Sequence, residues 1–133
     1  MPLQSDSPLK TFILYWLPII VYCLAIFIQS SLPASESLPG FWQADKLLHA
    51  AAYALLGFMF YRAFLTTQVP KTALFLIMIS ALSSTAYGIS DEVHQYFVPS
   101  RTFSFADMLA NTLGSLIGAV VATVLFKKSA TSK

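Results

Sequence analysis

Four stretches of this chain carry no acidic or basic side chain: Thr11 to Ser35, Leu47 to Tyr61, Thr72 to Ser90 and Met108 to Phe126. That spacing limits the fold more than any motif does, because a helix needs about 20 largely apolar residues to cross a bilayer. The second stretch reaches that length if Asp45 and Lys46 lie at one interface and Arg62 at the other. With 56% apolar residues, the chain is too hydrophobic for an ordinary soluble domain. The expected fold is all-α: an integral membrane bundle of four transmembrane helices near 11–32, 45–65, 72–97 and 105–126, in one domain over 1–133. The first segment reads as an uncleaved anchor, since its apolar run exceeds a signal core and no small-x-small cleavage pattern follows. Cys23, the single cysteine, falls within it, so no internal disulfide can form.

A formal net charge of +2 gives no electrostatic support for a nucleic-acid partner. Its distribution says more. Lys10, Arg62, Lys71, Lys127, Lys128 and Lys133 belong to the N-terminal tail, the middle connection and the C-terminal tail, whereas Lys46 and Arg101 belong to the other two connections. The positive-inside bias then places both termini in the cytoplasm. Glu36, Asp45, Asp91, Glu92 and Asp107 fall on or near the outer face, so two polar clusters share one side of the membrane.

Pro18 should kink the first span, and membrane helices tolerate this where a neighbour re-satisfies the freed carbonyl. Ser30 to Gly40, with Pro33 and Pro39, reads as an external loop. Phe41 and Trp42 after it are expected at headgroup level. Pro70 marks a short cytoplasmic turn, and the tail after Phe126 is expected to fray.

The clusters themselves carry the candidate chemistry. Lys46, His49 and Tyr53 are spaced three and four apart, which sets them on one helical stripe facing the same neighbour. Asp45 is accounted for as a helix cap and Lys46 as a snorkelling side chain, but His49, one turn deeper, needs a partner. Ser80, Ser84, Tyr87 and Asp91 form a second stripe; the serines read as small residues that permit close packing. Asp91 and Glu92 sit at a helix C-terminus, where negative charge opposes the macrodipole. Lys46, Arg101 or a bound cation are the candidates to compensate them, and Gln95 returns to the Asp91 side one turn on. Ser104 to Asp107 fits a capping box. Yet Asp107, Asn111, Gly114 and Gly118 fall within about 40° of one another on a helix, and the two glycines have the spacing that lets helices approach closely. Asp107 and Asn111 should therefore face a neighbouring helix, with the glycine face packed either within the chain or between chains of an oligomer. His94 lies off the polar face and reads as an interface residue.

These residues resemble the VanZ-like family of small bacterial membrane proteins, named after a factor linked to low-level teicoplanin resistance. The resemblance rests on Lys46-x-x-His49-x-x-x-Tyr53-x-x-Leu56-Gly57, then Asp91-Glu92-x-x-Gln95-x-Phe97-x-Pro99-x-Arg101, then Asp107-x-x-x-Asn111-x-x-Gly114-x-x-x-Gly118. Ser100 departs from it, since the family often has glycine between the proline and the arginine; the turn should form with less backbone freedom. The resemblance implies a multi-pass protein of the bacterial cytoplasmic membrane with an envelope role, and supplies no reaction.

Three functions compete. One is an envelope factor that alters glycopeptide susceptibility through an outward-facing polar site. A second is a membrane enzyme acting on a lipid-linked phosphate or cell-wall precursor. There His49, Asp91, Glu92 and Asp107 would be catalytic, and Lys46, Tyr53, Gln95, Arg101 and Asn111 would bind substrate. Acids mixed with a histidine suit a divalent cation such as Mg²⁺ or Zn²⁺. The spacing matches no specific metal motif, however, so a salt-bridge network is the simpler account and no cofactor is assigned. The third is a purely structural bundle clamped by pairs such as Lys46 with Glu92 or Arg101 with Asp107, in which Glu92→Gln should reduce folded protein.

Overall fold

The computed structural model describes residues 7–33 and 44–131. Glu36, Phe41, Trp42, most of the expected external loop and Lys133 lie outside them. Four helices are long and apolar enough to span a membrane: α1 (Pro8–Ser31), α2 (Ala44–Phe64), α3 (Ala73–Tyr96) and α4 (Phe105–Thr131), the last apolar over Phe105–Phe126. No strand occurs among the described residues.

Each helix carries a local reason for its ends. Thr72 caps α3 by accepting the Phe75 N–H at 3.3 Å, which supplies one of the partners that first-turn amides lack. Asp45 lies in the first turn of α2 and Arg62 in its last, both favourable to the helix dipole. Beyond that last turn, Lys71 donates to the Phe64 carbonyl at 2.7 Å and also to the Thr67 carbonyl, closing the C-terminal end of α2. Pro18 has no N–H to give the turn before it, and α1 answers with a π turn over Phe12–Trp16, where the Leu17 N–H reaches the Phe12 carbonyl. The Leu14 carbonyl, four residues before the proline, accepts from Arg62 Nη2 of α2 at 3.5 Å.

The pairing of side chains gives the topology. Lys46 meets Asp107, His49 meets Asn111, and Ala50 and Ala54 lie against Gly114 and Gly118, so α2 and α4 run parallel. α3 runs antiparallel to both, with Tyr53 against Asp91 and Ser115 against Ser84. α1 lies alongside α3 in the same direction, tied by Tyr87 to the Cys23 carbonyl at 2.6 Å and by Gln95 to Ser30 at 3.3 Å.

Close approach of α2 and α4 depends on glycine. A Cβ at Gly114 would run into the Ala50 carbonyl, one at Gly118 into the Ala54 carbonyl, and one at Gly57 into the Ser115 carbonyl. The small-residue face therefore packs within the chain, where backbone contact substitutes for a hydrophobic driving force that lipid does not supply. Two apolar clusters fill the rest: Ile19, Tyr53, Leu56 and Ala63 between α1 and α2, and Tyr61, Leu76, Ala119 and Ala122 where α2, α3 and α4 meet. Leucines, valines and isoleucines such as Leu24, Leu82 and Val124 remain exposed around the outside, as a lipid-facing belt requires.

Candidate polar site at one end of the bundle

α2, α3 and α4 bring their polar residues together at a single end. The α2 stripe splits between two neighbours rather than facing one. Lys46 Nζ donates to Asp107 Oδ1 of α4 at 3.2 Å and to Asp45 Oδ2 at 3.1 Å. His49 Nδ1 lies 3.2 Å from Asn111 Oδ1, again of α4. Tyr53, one turn deeper and fully buried, turns to α3 and donates its hydroxyl to Asp91 Oδ2 at 3.2 Å. Gln95 donates to the same oxygen at 3.2 Å, as its spacing from Asp91 predicts.

Glu92 is completely buried, and its partner is not a cation. Oε2 accepts the backbone N–H of Ser104 at 3.2 Å, and Oε1 has no hydrogen-bond partner. This settles how the capping box is built. The Ser104 hydroxyl accepts the Asp107 N–H at 3.2 Å, as expected, but the return bond to Ser104 N–H comes from Glu92 of α3 and not from Asp107. Asp107 is thereby left to face α2.

The expected pairs of Lys46 with Glu92 and Arg101 with Asp107 do not form. Arg101 instead donates Nε to the Leu32 carbonyl at 3.0 Å and Nη2 to the Gln29 carbonyl at 3.2 Å. A guanidinium is well placed there, since the last carbonyls of α1 have no helical donors and carry the negative end of the dipole. Arg101 reaches them from a tight turn in which its N–H bonds the Val98 carbonyl at 3.1 Å, with Pro99 second and Ser100 third at φ 65°. Proline second and a positive φ third is the type II pattern.

Between α1 and this cluster lies a cavity of about 430 Å³. Ala25 and Ile26 of α1 form an apolar wall, and His49, Tyr53, Asp91 and Arg101 a polar one. His94 lies apart from the cluster: its Nε2 is 2.9 Å from Ser31 Oγ and its ring stacks on Phe27 at 4.5 Å.

The polar floor below the cluster contains residues that spacing alone left as packing. Ser84 donates to the Tyr53 carbonyl at 3.2 Å, and Ser115 donates to Ser84 at 2.7 Å, so these hydroxyls bind helices together as well as letting them approach. Ser115 falls four residues after Asn111, a spacing that could have flagged it. Ser30 and Gln29 could have been found as polar residues at the end of an apolar helix. The Ser104 amide could not, because a backbone donor leaves no trace in residue type.

No curated protein and no solved structure matches the chain. The sequence pattern of the VanZ/LLP1 family matches residues 8–127, which takes in all four apolar spans and every side chain of the polar end, and the chain belongs to that family.

Proposed function

We propose that this protein acts in the bacterial cell envelope, altering susceptibility to glycopeptides such as teicoplanin through a polar site that faces outward. Both termini are cytoplasmic in this reading, following the lysine and arginine bias of the sequence. The observation that carries it is the convergence of three helices on the buried acids Asp91, Glu92 and Asp107 with His49 at one end of the bundle. Buried ionisable residues in a membrane domain are costly and mark functional sites by default.

The test is the teicoplanin and vancomycin inhibitory concentration of a susceptible host expressing wild type, His49→Ala or Glu92→Gln, with membrane abundance measured in the same cells. Protection by wild type that is lost in the variants at normal abundance is the expected result. A fully expressed wild type that leaves both concentrations unchanged would remove the glycopeptide role.

The cavity favours a second reading, an enzyme acting on a lipid-linked phosphate. Its apolar wall suits a chain and its polar wall a head group. Here His49 is the proton donor or acceptor, and Arg101 and Lys46 attract the phosphate. Phosphate release from a polyprenyl pyrophosphate in vesicles, abolished by His49→Ala, is the outcome that supports it; a purified wild type that releases none sinks it.

A further inference from the structure

Among the described residues Glu92 stands out as an acid with no exposed surface and one oxygen without any hydrogen-bond partner. Desolvating such a group is unfavourable unless something positive meets it. Asp91, Glu92 and Asp107 are all buried, and the one ammonium touching any of them among the described residues is Lys46, which Asp45 shares. Arg101 meets none of them and donates to the α1 carbonyls. The acids therefore exceed the cations at this end.

What surrounds Glu92 suits an ion better than another side chain. One atom each of His49, Glu92 and Asp107 lies within 4.8 Å of the others, from three different helices. With Asn111 Oδ1 accepting from Nδ1, Nε2 is the ring nitrogen left to meet an ion. That is how histidine ligands are usually oriented, by an acceptor on the opposite ring nitrogen. Asp107 uses Oδ1 for Lys46 and has a second oxygen to offer. Ligand atoms on a tetrahedral ion stand roughly 3.4 Å apart, given bonds of about 2.1 Å, a contraction that side-chain torsions can supply.

We infer that His49, Glu92 and Asp107 form a binding site for a divalent transition ion, Zn²⁺ or Mn²⁺, with Asn111 as a positioning residue. The imidazole suits Zn²⁺ and the two carboxylates suit either Zn²⁺ or Mn²⁺, whereas Mg²⁺ prefers oxygen alone. Three protein ligands leave a position open for water or substrate. The site holds whether or not the chain affects glycopeptides, because it rests on the donor set and not on the envelope role.

The experiment uses the full chain purified in detergent, stripped with chelator and titrated with ZnCl₂ and with MnCl₂ by calorimetry. Wild type is expected to bind one ion per chain, and its unfolding midpoint to rise with ion concentration. Glu92→Gln and Asp107→Asn should weaken binding at least tenfold, and Asn111→Ala by about 10-fold to 100-fold. His94→Ala should bind as wild type does. Absorption fine structure of the Zn²⁺-loaded wild type then needs no variant to fold: one imidazole among oxygen donors is expected. A second imidazole, or sulfur from Cys23, would overturn the assignment. So would a wild type with no stoichiometric binding below millimolar ion, or equal binding by wild type, Glu92→Gln and Asp107→Asn.

Discussion

A glutamine at position 92 keeps an acceptor for the Ser104 N–H while removing the charge that no side chain meets. In metal-stripped protein, Glu92→Gln should therefore leave thermal stability unchanged or raise it, since replacing a buried ionic group by a neutral one is often neutral to stabilising. An unfolding midpoint that falls by several degrees would mean that a cation meets Glu92 even without metal. This reverses the expectation for a clamp made by Lys46 and Glu92, and the reversal has a plain cause. Helical spacing tells which residues share a face, but Lys46 could reach either Glu92 or Asp107, and the choice was decided by a backbone amide that residue types do not record. Ser100 was more legible. Its φ of 65° lies where Cβ meets the following carbonyl, a cost of roughly 1–2 kcal/mol that glycine avoids. Ser100→Gly should stabilise the chain by about 1 kcal/mol, read as a higher denaturation midpoint in detergent.

At the scale of helices, the contrast between Gly118 and Gly88 tests what holds α2 to α4. A Cβ at Gly118 meets the Ala54 backbone, which can yield only if the helices separate. At Gly88 it meets the Tyr53 ring at 3.0 Å and Asn111 Cβ at 3.1 Å, side-chain contacts that need only a small adjustment to relieve. Gly118→Ala should cost about 1–3 kcal/mol or more, as overpacking does, and Gly88→Ala clearly less, when both are unfolded in the same detergent. Equal losses would show that the glycines only add helix flexibility. The spacing of Gly114 and Gly118 announced a close contact, whereas its location inside the chain was not readable, because Ala50 and Ala54 are unremarkable small residues in an apolar run. The serines of α3 show the same limit. Their spacing gave the face, and their hydrogen bonds depended on which carbonyl lay opposite.

For the whole molecule, four apolar stretches announced four helices because hydrocarbon leaves a chain little choice: the backbone must bond to itself along its entire passage. The side of the membrane rests on charge bias alone, and reporter fusions at each end of the chain should both read as cytoplasmic; an external reading at either end would move the polar end to the inside. The attachment of α1 has a consequence for how the protein is made. This helix is made before the other three, and although Tyr22 can donate to the Ala52 carbonyl as soon as α2 arrives, its partners at the polar end are Gln95 of α3, which meets Ser30, and Arg101, which meets its final carbonyls. Through the synthesis of α2 it must stay in lipid with those groups unanswered, so the cavity beside it closes only once the third helix has entered, and biogenesis of the polar end is necessarily a late event.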